Sequence, residues 1–127
     1  MATGLENLKI YKLAVRLEIF VHKVVKNFPS EEKYSSCDNL KRSSSSVANN
    51  IAEAYGKFSY GAKINHIYIA RGEAEETKSG LQRAYLKRFI SKKIADFTNI
   101  KYTELLKQIN SYIKFLRNKK TKNRLTT

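Results

Sequence analysis

Apolar residues recur along this chain at intervals of three and four, and no stretch shows sustained alternation. That period belongs to α-helices. Ile10, Leu13, Ala14, Leu17, Phe20, Val21, Val24 and Phe28 make one stripe, which predicts a first helix over about residues 5–27. Lys9, Lys12, Arg16, Lys23 and Lys26 fall mostly off it. Pro29 disfavours helical backbone at Phe28 and should stop the helix there. A second helix is expected from Ser30 to Tyr55, on a thin stripe of Leu40, Ser44, Val47, Ile51 and Ala54. Glu31 and Glu32 suit its positive end. Gly56 is placed to close it in a left-handed cap. The run Ser43 to Ser46 reads as a small-residue face that lets another backbone come close. A linker reading is weaker, because apolar periodicity resumes at Val47 and Ile51.

Ser59 is the expected N-cap of a third helix reaching about Phe89, with Ile64, Ile67, Ala70, Ala74, Leu81, Ala84 and Tyr85 inward. Gly72 and Gly80 lie inside it, each at a cost of about 1 kcal/mol relative to Ala, which predicts close packing at both. Ser91 is the expected cap of a fourth helix, with Thr98 as the alternative start. Its stripe is Ile94, Phe97, Tyr102, Leu105, Ile109, Tyr112, Ile113 and Leu116. Four long helices with short connections predict an all-α, antiparallel up-and-down four-helix bundle over residues 1–118. Residues 119–127 lack a core-forming pattern and read as a basic, fraying tail.

A length of 127 residues suits one domain, and a single Cys excludes an internal disulfide framework. No apolar run approaches the ~18 residues of a membrane span. The first residues lack the apolar block of a signal peptide, so the cytoplasm is the expected compartment.

Charge changes the picture more. Net charge is +14. Residues 1–82 hold 12 basic and 9 acidic side chains, whereas residues 83–127 hold 13 and 2. Such a surplus repels itself and points to a polyanionic partner, RNA or DNA. The candidate contacts are Arg83, Lys87 and Arg88 at the end of helix three, Lys92 and Lys93 after Ser91, and Lys114, Arg117, Lys119, Lys120, Lys122 and Arg124 at the far end of helix four. In an antiparallel bundle these groups lie at opposite ends, so two patches or a stripe is expected. Tyr60, Tyr68, Tyr85, Tyr102 and Tyr112 could stack bases, but their helical spacing assigns most of them to core or interface.

No catalytic residue, metal site or cofactor is expected. His22 and His66 have no second His or Cys at ligand spacing. Glu73, Glu75 and Glu76 share a helix, where neighbouring side chains diverge rather than converge on one metal. No Gly-rich phosphate loop is present, and Cys37 reads as a small packed residue.

Three stretches are more specific: Phe28-Pro29-Ser30-Glu31-Glu32, Ser46-Val47-Ala48-Asn49-Asn50-Ile51-Ala52-Glu53, and Ile69-Ala70-Arg71-Gly72-Glu73-Ala74-Glu75-Glu76. Their order and spacing resemble the four-helix-bundle family of 23S ribosomal RNA intervening-sequence proteins. The resemblance implies ring-like homopentamers, with nucleic-acid binding the usual suggestion for their role. It also implies kinship with the accessory variability proteins of diversity-generating retroelements, basic pentamers that bind a reverse transcriptase. Ala48, Ala54 and Glu73 stand where the family often has Pro, Gly and Ser. Asn50, Glu53, Arg71 and Glu76 are the polar members of the shared stretches. They read either as a ligand site or, the reading adopted here, as an interhelical network that fixes register, with a charge-assisted Glu53–Arg71 pair. The expectation is a non-catalytic, self-associating protein that binds nucleic acid with little sequence preference. The alternative is an adaptor that partners a reverse transcriptase. Attachment to anionic membranes is a weaker third reading, because the tail lacks an apolar face beyond Leu116.

Overall fold

The first apolar stripe folds inward as α1 (Lys9–Val24), which buries Ile10, Ala14, Leu17, Val21 and Val24. The computed structural model describes residues 4–5 and 8–126, with side chains through residue 123. The start expected near Leu5 therefore borders residues outside the described set. Val25–Asn27 tighten into a 3-10 turn, and Phe28 ahead of Pro29 is extended, with φ −70° and ψ 156°.

The second helix starts later than its spacing predicts. Ser30–Glu32 form a 3-10 turn and Lys33–Cys37 a π turn, and α2 runs from Asp38 to Gly56. Residues 30–37 bury only Cys37, and Tyr34 is 83% exposed. Little apolar burial holds this segment to a regular helix. From Leu40 onward the expected stripe is buried, joined by Ser43 and Ala48.

Both serine caps form. Ala62 N–H donates to Ser59 Oγ at 3.1 Å and Ile94 N–H to Ser91 Oγ at 3.2 Å, opening α3 (Tyr60–Leu86) and α4 (Lys92–Thr126). Thr98 lies inside α4 and is buried, so it starts nothing. The α4 backbone stays helical past Asn118, where fraying was expected. No Gly or Pro follows Gly80, and Lys and Arg are good helix formers, so nothing local breaks the helix.

Gly56 makes no left-handed cap, since no glycine among the described residues has positive φ. Lys57 leaves α2 in extended backbone, and Lys63 Nζ satisfies two terminal carbonyls, at 3.2 Å from Ala54 O and 3.1 Å from Tyr55 O. The left-handed residue is Arg88, φ 67°, where α3 ends. Phe89 N–H donates back to Ala84 O and Arg88 N–H to Tyr85 O, both at 2.9 Å, the bond pair of a Schellman motif.

Sequential helices are neighbours: α1 packs on α2 and α4, and α3 on α2 and α4. The α3–α4 register is antiparallel. Gln82 meets Asn99, Arg71 meets Asn110, and Gly61 faces Lys120. Eleven residues back along α3 match eleven forward along α4. The α2–α3 seam runs the same way, from Leu40 against Gly80, through Ser43 and Thr77 hydroxyls 2.7 Å apart, to Asn50 against His66. These elements make the expected four-helix bundle. Ile51, Ile67, Leu81, Leu105, Ile109 and Leu116 are sealed in its core, each contributing about 1.5–3 kcal/mol by burial. Two expected core residues are not there: Phe97 is 42% exposed and Tyr85 39%. Thr77 and Thr98 occupy inward positions instead. Each turns its hydroxyl to a carbonyl one turn back, Thr77 to Glu73 O and Thr98 to Ile94 O, which makes polar residues tolerable in the core.

Candidate nucleic-acid interface

The α4 helix presents two different outer sides. At ~1.5 Å per residue its 35 residues reach ~50 Å, the length of the bundle and beyond. Toward α1 it presents aromatic and aliphatic residues, with Lys93 and Lys107 among them. The Phe97 ring lies 5.1 Å from Phe20, and Phe115 lines a groove with Leu8, Ile10 and Tyr112. Phe97, Ile100 and Phe115 remain 42%, 63% and 50% exposed. Toward α3 it is polar and basic, with Asn99, Asn110 and Arg117 reaching across.

The structure distributes the eleven candidate cations among several places. Arg83 and Lys87 line a cavity of about 340 Å³ on the α2 side of α3, shared with Glu32 and Glu76. Arg83 is tied to Ser79 and Lys87 lies over the Phe89 ring. Arg88 is exposed at the α3–α4 turn. Lys92 pairs with Asp96 at 2.8 Å, and that bond raises the lysine pKa. Lys93 faces the other way, beside Phe20 and Phe97. At the far end Lys114 is exposed, Arg117 donates to Tyr68 Oη, and Lys119 lies over the Phe115 ring. Lys120 lies 3.6 Å from the position of a β-carbon built on Gly61. Lys122 is exposed, and the Arg124 side chain lies outside the described residues. Lys93 and Lys120 are ~40 Å apart along one helix axis. The basic groups thus occupy two ends of α4 rather than one patch.

The four-residue polar network does not assemble. Glu53 is exposed and, among the described residues, pairs with Lys57 on its own helix, at 3.7 Å. With Asn50 opposite His66, the α2–α3 register sets Glu53 opposite Lys63, two turns from Arg71. Arg71 turns to α4 instead, donating to Asn110 Oδ1 at 3.0 Å. Asn50 does bridge helices: it donates to Ser46 O at 2.9 Å, and its Oδ1 lies 3.2 Å from His66 Nδ1. Glu76 accepts from Arg42 at 2.5 Å, and Glu73 accepts from Arg42 at 2.8 Å. Burial works against the charged Glu73, but hydrogen bonding with Arg42, Glu76 and Ser46 and the charge of Arg42 outweigh it and hold its pKa below the ordinary value.

Sequence reasoning missed Arg42, because a surface arginine in a serine-rich stretch carries no sign of its partner. It also left both histidines alone. Ser45 Oγ lies 3.2 Å from His22 Nε2 and donates to Glu18 Oε2 at 3.0 Å. The serine proton is committed to the carboxylate, so this is a tie between α1 and α2 rather than a nucleophile–base pair. Burial raises the Cys37 thiol pKa, as expected of a packed residue. Among the described residues no group of three His, Cys, Asp or Glu side chains could hold a metal ion, and no helix is long and apolar enough to cross a membrane.

A basic four-helix bundle with cations at both ends of its longest helix is the class defined by fold and surface together. The chain belongs to the 23S rRNA-intervening sequence protein family, whose sequence model matches residues 6–111. It is also similar to a crystal structure from Bacteroides thetaiotaomicron VPI-5482, described as a protein of unknown function from the S23 ribosomal protein family. The two are 25% identical with a TM-score of 0.75, over 83% of this chain and 98% of the other. No curated protein matches.

Proposed function

We propose that this protein is a non-catalytic, self-associating binder of RNA or DNA that works in the cytoplasm and contacts phosphates through Lys and Arg with little sequence preference. One observation carries the reading: no acidic residue follows Glu104, while Lys107, Lys114, Arg117, Lys119, Lys120, Lys122 and Arg124 all stand on one continuous helix. No carboxylate side chain is interspersed among these cations along the helix, and a polyphosphate would supply the opposite charge. Membership in a family named for ribosomal RNA supports the same reading. The exposed Phe97, Ile100 and Phe115 of α4 suit a second copy of the chain, and by the family resemblance a pentamer.

Titration of labelled RNA and labelled DNA at 50 and 200 mM salt tests the proposal. Engagement of six or more phosphates should weaken binding on the order of 10³-fold across that range. No binding to either polymer at the lower salt would refute it. Light scattering of the same sample reads the subunit number.

A further inference from the structure

We infer that the α3–α4 seam is a phosphate clamp, in which Arg71 and Arg117, held around Tyr68, grip the phosphodiester backbone of a bound nucleic-acid strand. The inference rests on the nucleic-acid reading above and assigns its central contact. The Arg71 guanidinium lies 5.0 Å from the centre of the Tyr68 ring and the Arg117 guanidinium 5.4 Å from the same point. The two charges therefore stand within about 10 Å of each other, close to one screening length at physiological salt.

Like charges at this separation repel unless an opposite charge stands near them. Here neither arginine forms an ion pair among the described residues, although Arg42, Lys57, Lys92 and Lys101 all do. Glu75, one turn along α3 from Arg71, is exposed and makes no ion pair among the described residues. What holds the arginines in place is neutral. Arg71 Nη1 donates to Asn110 Oδ1 at 3.0 Å, Arg117 Nη2 donates to Tyr68 Oη, and the face of the ring favours both cations.

Each guanidinium has five N–H donors and these contacts occupy one. The remaining forks match paired phosphate oxygens. Anchored side chains lose less freedom on binding than loose ones, which separates this pair from the untethered Lys114 one turn away on α4. Bases would pass over the seam unread, consistent with sequence-tolerant binding.

The test uses the full chain with labelled single-stranded RNA and labelled duplex DNA at several salt concentrations. The variant Arg71→Gln/Arg117→Gln is compared with Lys12→Gln/Arg16→Gln, which removes the same charge from α1. The clamp variant should bind about tenfold or more weaker than this control, and its salt slope should fall by about 0.7 to 0.9 per lost phosphate. Arg71→Lys/Arg117→Lys should keep the slope and still lose affinity, because the charge stays and the fork goes. If the double variant melts at lower temperature, Arg117→Gln alone, at an exposed position, decides on half the slope change. Equal losses in clamp and control variants, with wild-type binding intact, would overturn the clamp and leave the proposed function standing. Loss of binding to phosphatidylglycerol vesicles but not to nucleic acid would overturn it as well. Failure of the wild type to bind RNA or DNA would remove both.

Discussion

A β-carbon at Gly80 would sit 2.8 Å from Leu40 Cδ2, whereas one at Gly72 would meet nothing within 4 Å. The two glycines interrupt the same helix, and only the first serves close packing. Gly80→Ala should lower stability by about 1–3 kcal/mol, because overpacking outweighs the gain in helix propensity. Gly72→Ala should raise it by about 1 kcal/mol. Thermal or urea unfolding of both variants checks the pair, and a stabilised Gly80→Ala would show that Leu40 can move aside. Single residues were legible where their role is local. Ser59 and Ser91 cap their helices because an N-cap hydroxyl needs only the amides of its own first turn. Gly72 looked the same as Gly80 in sequence, since what differs is the neighbouring helix.

Between elements, the α2–α3 contact is decided by register, and register is where the sequence was hardest to read. Asn50 reaches across the contact and Glu53, one turn on, does not. The ion cluster that forms there, Arg42 with Glu73 and Glu76, gives the contact a pH dependence. Glu73 has a folded pKa below its ordinary value of 4.5. Its contribution is therefore fully present above that value and is lost as pH falls through the lowered folded pKa. Arg42 is half exposed, so screening limits the effect to about 1 kcal/mol or less. Arg42→Gln should lower stability at neutral pH and shrink the difference from wild type as pH falls below 4.5. Denaturation followed across pH 3 to 7 reads this, and parallel curves at all pH values would refute it.

For the whole molecule, the helical period and the charge asymmetry made the bundle and its basic third plain from sequence. The exposed apolar stripe along α4, Phe97, Ile100 and Phe115, was not. Phe97 fits the periodicity of a core position, and only the packing against Phe20 shows it at the rim. Arg71 likewise belonged to a recognisable stretch, but nothing in that stretch indicates that it faces Arg117. Truncation after Asn118 removes four cations from a helix that extends past the bundle. The shortened chain should melt within about 0.5 kcal/mol of wild type, because exposed residues contribute little, yet bind RNA with a shallower salt slope. Unchanged slope would exclude the segment from the interface.

The two sides of α4 are rigidly coupled, since one helix carries both. Copies joined through the hydrophobic side would hold their arginine pairs like staves in a barrel, at one repeated interval and angle. A strand captured by one copy would then be handed to the next at high local concentration, so valency rather than the strength of any single contact would set how long it stays.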